Sequence, residues 1–128
     1  MSGKKKVTRA ETTRNVTMAL LGTAGLVLKS TYRGPLEEVV YAHGGNFTVS
    51  FALYFVAVTA ASRIGLGRLT AAAATLIAVE AFEITNGFGV MTNTYDPADF
   101  VANAAGIGVA VVIDLISSSV LAQVSGID

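Results

Sequence analysis

The sequence contains no cysteine and no tryptophan, one histidine and two prolines in 128 residues. Without cysteine the chain can form no disulfide, thiolate metal site or cysteine nucleophile, and a single histidine argues against a zinc centre. No set of nucleophile, base and oxyanion donors can be assembled from the residues that are present. We therefore predict a protein with no catalytic residues, no cofactor and no bound metal.

Charge is also scarce. Charged residues make up 14% of the chain and hydrophobic residues 52%, whereas a soluble domain usually carries about 25% charged residues. This composition predicts an integral membrane protein, with the lipid bilayer as its surroundings. The first fourteen residues are the exception, because they concentrate basic side chains. Beside an apolar segment such a basic tail sets membrane orientation, and we expect no nucleic-acid partner.

Four apolar segments are each close to the ~20 residues that an α-helix needs to cross the hydrocarbon core of a bilayer. They predict an all-α, four-helix membrane bundle that forms one domain over residues 15–128, preceded by the basic cytoplasmic tail 1–14. Ionisable residues interrupt several of the segments, which favours a compact bundle over four lipid-exposed spans. The predicted helices cover residues 15–32, 47–62, 69–85 and 98–118.

The basic residues also predict the topology. The tail and the short loop from Arg63 to Arg68 are the two basic flanks, and the positive-inside rule puts both in the cytoplasm. With four spans, the N-terminus and the C-terminus are then both cytoplasmic, and the loops at 33–46 and 86–97 face outward. The predicted location is the plasma (inner) membrane, with a multi-pass topology.

One polar residue from each helix is predicted at a similar depth. Counted at about 1.5 Å per residue from the helix ends, Lys29, Tyr54, Glu83 and Asn103 all fall near the outer third of the core. Glu80 lies one turn from Glu83, on the same side of its helix.

Carboxylates inside a bilayer are costly, by roughly 2.5–3.5 kcal/mol even on insertion scales, so they must face protein or water. Two readings of Glu80 and Glu83 are open. They form a proton-exchanging or cation-binding pair, or Glu83 pairs with Lys29 while a neutral Glu80 forms a hydrogen bond within the bundle.

The fourth segment carries Asp99 and Asn103 one turn apart. Asp99 is interpreted either as an acid that caps the helix start or as a ligand-binding residue. Asn103 is interpreted either as an interhelical hydrogen-bonding residue or as a ligand contact. Small residues at Ala102, Gly106 and Ala110 form a ridge that allows close approach of another helix.

Two further polar residues lie outside this group. Asp114 falls near the cytoplasmic end and is predicted to form a structural ion pair with the loop arginines Arg63 or Arg68. His43 is placed in the first outer loop, where it is either a solvated histidine or a pH-sensitive base.

The segment Glu80-Ala-Phe-Glu83, a Gly/Asn-rich loop and Asp99-Phe-Val-Ala-Asn103-Ala-Ala-Gly106 together resemble the C-terminal half of the VanZ-like family of small bacterial membrane proteins. That family has D-x-x-x-N-x-x-G at the start of one helix, after an acid and a glutamine on the preceding one; Glu83 stands where the glutamine is usual. His43 is similar to the family's histidine before the second helix. The founding member is associated with teicoplanin-type glycopeptide resistance at the cell envelope.

These observations predict a small bacterial envelope protein whose outward-facing polar pocket binds a lipid headgroup, a cell-wall precursor or a cation. Two other functions stay open: an accessory subunit of a larger membrane complex, with membrane-protein partners or as a homo-oligomer, and a proton-coupled carrier. The candidate ligand-binding residues are Glu80, Glu83, Asn103, Asp99, Tyr54, Lys29 and His43.

Overall fold

The computed structural model describes residues 9–85 and 97–124, and within these two ranges short turns join helices and there is no β-strand. The all-α prediction is therefore confirmed, and the described part of the chain contains four α-helices and one short 3₁₀ turn. Their bounds are α1 Arg9–Leu28, the 3₁₀ turn Lys29–Thr31, α2 Glu37–Arg63, α3 Arg68–Ile84 and α4 Pro97–Val124.

Helix α2 is the centre of the bundle. It packs along α1, α3 and α4, and α3 also packs against α4. Helix α1 meets α4 over a short stretch, and within the described ranges its backbone stays apart from that of α3, with the Glu11 side chain 4.0 Å from Arg68. The second helix therefore lies between α1 and α3, and one side of the α1–α2 pair is left uncovered by the other helices.

Two glycines allow the helices to approach α2 closely. A Cβ atom added at Gly106 would lie 2.3 Å from the carbonyl oxygen of Phe47, and one added at Gly22 would lie 2.9 Å from that of Thr48. Either contact is too short for a side chain, so glycine is needed at both positions. The predicted ridge of small residues in the fourth helix is confirmed, because Gly106 and Ala110 are buried at this interface.

The turn between α2 and α3 follows from Gly65. This residue has a positive φ of 80°, which glycine adopts without steric penalty. Its N–H donates to the carbonyl of Ser62 at 3.2 Å, and the N–H of Leu66 donates to that of Ala61 at 2.8 Å. This pair of hydrogen bonds is the Schellman motif, and it ends α2 within one turn so that α3 starts at Arg68.

Polar and apolar residues are distributed against the pattern of a water-soluble bundle. The described residues with buried side chains comprise eight apolar and eight polar or charged residues. Large apolar side chains meanwhile cover the outside, among them Leu20, Ile77 and Val112, which are 65%, 70% and 52% exposed. In soluble proteins charged residues are rarely fully buried and large contiguous apolar patches are rarely exposed. Within the described ranges, α2 and α4 are long and apolar enough to cross a membrane.

The first two helices begin earlier than predicted. Helix α1 starts at Arg9 and not at residue 15, so the end of the supposed tail is helical. Helix α2 starts at Glu37, ten residues before the predicted boundary. The glycine pair Gly44-Gly45 would favour a break in the chain, but both glycines lie inside this helix. A Cβ atom at either position would lie 3.3–3.8 Å from side-chain carbons of Lys29, which is close to ordinary contact, so the space around them does not require glycine.

The other two helices match better. Helix α3 agrees with its predicted bounds to within one residue at each end. Helix α4 starts at Pro97, one residue before its predicted bound and with proline in the first turn where it is favoured, but it continues six residues beyond 118. The serines at its predicted end form hydrogen bonds inside the bundle and do not stop the helix. The sequence also favours a glycine-rich C-terminal cap at 86–89 and an N-cap at Asp96, and both lie outside the described residues.

Candidate functional site

The predicted polar residues of the fourth helix lie in a cluster that joins three helices. The amide oxygen of Asn103 accepts a hydrogen bond from Ser50 Oγ at 2.9 Å, and its amide nitrogen donates to Glu80 Oε1 at 2.8 Å. Asn103 is 2% exposed and Ser50 is fully buried, while Glu80 is half-buried. One amide thus uses both its donor and its acceptor to connect α2, α3 and α4.

A histidine–carboxylate pair extends this cluster toward the helix ends. His43 Nδ1 lies 3.0 Å from Asp99 Oδ1, and the two side chains are 27% and 16% exposed. Asp99 is one turn before Asn103 on α4, and His43 is two turns before Ser50 on α2, so the pairs lie on successive levels of the same interface. We call His43, Ser50, Glu80, Asp99 and Asn103 the Asn103 cluster.

Glu83 lies one turn beyond Glu80 and is buried. Its predicted partner Lys29 is elsewhere: the Lys29 ammonium donates to the carbonyl of Tyr41 at 2.9 Å and lies 4.7 Å from the centre of the Tyr41 ring. Of the two readings of Glu83, the pair with Lys29 is therefore wrong. Its physical reason is the packing order, because α1 and α3 lie on different sides of α2 and approach each other at Glu11 and Arg68, toward the opposite end of the bundle.

A second polar group lies at the opposite end of the bundle, around Asp114. This carboxylate is fully buried. It accepts hydrogen bonds from Arg14 at 2.8 Å, from Arg68 Nε at 2.8 Å and from the Tyr54 hydroxyl at 2.5 Å. Arg14, Tyr54, Arg68 and Asp114 come from α1, α2, α3 and α4, and we call these four residues the Asp114 network. One carboxylate thus connects all four helices.

Neighbouring side chains complete the hydrogen bonds of this network. Ser117 and Ser118 accept hydrogen bonds from Arg14 at 2.5 and 3.0 Å. Ser118 also donates to Glu11 at 2.7 Å, and Glu11 lies 4.0 Å from Arg68. Two guanidinium groups and two carboxylates balance in charge here, and no buried side-chain nitrogen or oxygen in the described ranges lacks a partner.

The structure therefore divides the predicted site in two. Glu80, Asp99, Asn103 and His43 come together, but Tyr54 does not join them because its hydroxyl points to Asp114. The placement of His43 in a loop is also wrong, since it lies within α2.

The predicted ion pair of Asp114 with the loop is confirmed for Arg68. Arg14 was missed, because a basic run next to an apolar segment was interpreted as tail. Its position could have identified it, because Arg14 lies at helical spacing from the apolar residues that follow it and so belongs to the same helix.

The exposed part of the Asn103 cluster offers both hydrogen-bond donors and acceptors. The two ring nitrogens of His43 donate or accept according to the tautomer, and the carboxylates of Asp99 and Glu80 accept. Such a set suits a ligand that carries hydroxyl or amine groups. Among residues 9–85 and 97–124, no three carboxylate or imidazole side chains are grouped so that they could hold a metal ion.

Comparison with known proteins yields no match. No protein-family model matches the chain, no curated protein matches it, and no solved structure matches it. The resemblance to the VanZ-like family therefore stays a prediction from the residues themselves.

Proposed function

We propose that this chain is a small multi-pass protein of a bacterial plasma membrane, with four spans and both termini in the cytoplasm. The distribution of its side chains supports this, because polar groups that need partners are inside and large apolar side chains are outside. A bilayer favours this arrangement, since lipid tails solvate apolar side chains and leave buried polar groups to bind one another.

In the proposed topology the two polar groups face opposite sides of the membrane. The Asp114 network lies toward the ends of α1 and α3 that carry Arg9 and Arg68, which the positive-inside rule assigns to the cytoplasm. The Asn103 cluster lies toward the other ends, where α2 and α4 begin. This places His43, Asp99 and Glu80 next to the outer surface.

The function proposed for the Asn103 cluster is to bind the headgroup of a lipid or the polar part of a lipid-linked cell-wall precursor. The observation that carries the proposal is the convergence of His43 with Asp99 and of Glu80 with Asn103. Glu80, Asp99 and Asn103 are among the residues on which the resemblance to VanZ-like proteins mainly rests, and the four residues come from three helices. Of the predicted ligands we favour a headgroup over a cation, because the cluster combines donors with acceptors.

The test compares Glu80→Gln with the control Glu38→Gln, an exposed glutamate near the start of α2. A glutamine at position 80 still accepts the Asn103 hydrogen bond but loses the charge, so the protein should accumulate normally. We expect Glu80→Gln and His43→Gln to abolish tolerance of a teicoplanin-type glycopeptide in a susceptible bacterial host, and Glu38→Gln to retain it.

The lipids or lipid-linked precursors that copurify with the protein, identified by native mass spectrometry, give a second readout for the same variants. Full tolerance and unchanged copurifying headgroups at normal abundance in Glu80→Gln and His43→Gln would contradict the proposal.

A second candidate function is that of an accessory subunit, and the outer face of α4 favours it. Ala104 and Gly108 are exposed there with the small-xxx-small spacing that supports helix association, and nothing lies within 4 Å of a Cβ at Gly108. A stoichiometric partner protein lost in Gly108→Leu would favour this function. A third proposal is a proton-coupled carrier that uses Glu80 and Glu83. It requires that cells expressing the protein take up a solute in a pH-dependent way and that Glu83→Gln removes this uptake.

A further inference from the structure

An open cleft runs between α1 and α2 on the side that α3 and α4 leave uncovered. Its volume is about 450 Å³, within the range of small-molecule sites. Residues 15–23 of α1 and 55–63 of α2 line it. Val16, Leu20 and Val56 on its walls are 53%, 65% and 56% exposed, so the cleft opens to the surroundings of the protein along its length.

The cleft is polar at one end and apolar at the other. Asn15 and Thr59 lie at the polar end and bind each other, with Asn15 Nδ2 donating to Thr59 Oγ1 at 2.9 Å. Arg63 lines the same end, next to the turn at Gly65. From there the walls are apolar toward Thr23 and Phe55.

Arg63 is a cation with no partner among the residues that the structure describes. It is exposed, and it makes no side-chain hydrogen bond or ion pair with any residue in the described ranges. The other arginine of this region, Arg68, donates a hydrogen bond to Asp114. A guanidinium at the mouth of an apolar cleft is complementary to a phosphate attached to a hydrocarbon chain.

The length of the cleft fits one leaflet of a bilayer. Eight residues of helix span about 12 Å, and half of the hydrocarbon core is about 15 Å thick. With Arg63 at the cytoplasmic surface, the apolar walls extend toward the middle of the membrane. An acyl chain of the inner leaflet would follow this path with its phosphate next to Arg63.

We propose that the α1–α2 cleft is a binding site for an anionic glycerophospholipid of the cytoplasmic leaflet, which places one acyl chain between the helices and its phosphate against Arg63. The site rests on the proposed membrane insertion but is independent of the Asn103 cluster, which lies at the other end of the bundle. It gives Arg63 a specific role that differs from its contribution to topology.

The test measures lipid retention by native mass spectrometry. The purified, delipidated protein is mixed in detergent with equal amounts of phosphatidylglycerol and phosphatidylcholine that carry the same acyl chains. The wild-type protein should retain phosphatidylglycerol preferentially. Arg63→Gln should weaken this retention about fivefold, as expected for loss of one basic side chain near a membrane surface. Ala60→Phe should fill the cleft and weaken retention of both lipids while Arg63 is intact.

The matched control is Arg33→Gln, which removes the same charge at the opposite end of α1 and α2. It should bind phosphatidylglycerol like the wild type. Equal retention of the two lipids by the wild type, or equal losses in Arg63→Gln and Arg33→Gln, would overturn the proposal while leaving the proposed function intact. Recovery of the protein in the soluble fraction of cells without detergent would overturn both.

Discussion

Asp114→Asn should be one of the most destabilising conservative substitutions in the chain. Asparagine preserves the shape of the side chain and one oxygen acceptor, but it removes the negative charge that faces Arg14 and Arg68. The Arg14 and Asp114 side chains are 9% and 1% exposed. Removing one partner of a buried ion pair costs about 3–5 kcal/mol, because the other charge is left uncompensated. We expect a decrease of that size in the free energy of unfolding.

A double-mutant cycle with Arg14→Met separates charge from packing. Methionine removes the uncompensated guanidinium and keeps much of the apolar stem, so the double variant should be less destabilised than the sum of the two single variants. Residues of one network show coupling energies of about 0.5–3 kcal/mol, and we expect the upper half of that range.

The assay is reversible unfolding in mixed detergent micelles, followed by the loss of helical circular dichroism. Arg33→Gln, at an exposed ion pair with Glu37, is the control and should change stability by less than about 0.5 kcal/mol. If the two single changes add to within about 0.5 kcal/mol, Asp114 and Arg14 do not interact energetically and the reasoning is refuted.

Three further predictions concern packing, the polar cluster and topology. Gly106→Ala should destabilise the bundle by about 1–3 kcal/mol because its Cβ would meet the Phe47 carbonyl, whereas Gly108→Ala should leave stability unchanged or raise it by up to about 1 kcal/mol. Both are measured by the same unfolding assay, and equal effects would contradict the close packing of Gly106 against α2. Asn103→Leu should lower stability by about 1–3 kcal/mol, since it leaves Ser50 and Glu80 without this partner, and Asn103→Asp with unchanged stability would argue against a hydrogen bond from its amide to a charged Glu80. Single cysteines at Lys5, Gly67 and Asn93 should divide by accessibility, with an impermeant thiol reagent labelling the last alone from outside intact cells, and labelling at Gly67 would reverse the proposed orientation.

The sequence predicts most of the helices because apolar length and turn signals are local properties. Helix α3 and the start of α4 follow from such signals, and both agree with the structure to within one residue. The start of α2 could not be predicted in this way. Its two glycines are unfavourable for a helix locally, and the helix there is supported by the packing of α2 against α1, α3 and α4, which are distant in the sequence.

The candidate site was predicted in part for a similar reason. Asn103, Glu80 and Asp99 were identified because polar residues in apolar segments need partners, but spacing along one helix does not say which helix provides the partner. Depth counted along each helix placed Tyr54 and Lys29 with Glu83, whereas a tyrosine reaches several ångströms toward either end. The order of packing around α2 decides these contacts, and it is a property of the whole chain.

The Asp114 network also implies an order of events during synthesis. Arg14 and Arg68 precede Asp114 by 100 and 46 residues, so both arginines leave the ribosome well before the carboxylate that neutralises them. In the proposed membrane protein, the first three helices hold two basic groups that lack their main counter-charge until the last helix is inserted. We expect a nascent chain arrested before Pro97 to be held by the insertion machinery or degraded, and the arrival of α4 to release the completed protein into the bilayer. A pulse-chase of chains truncated at residue 96, compared with full-length Asp114→Asn, would measure this dependence, and long-lived truncated chains would contradict it.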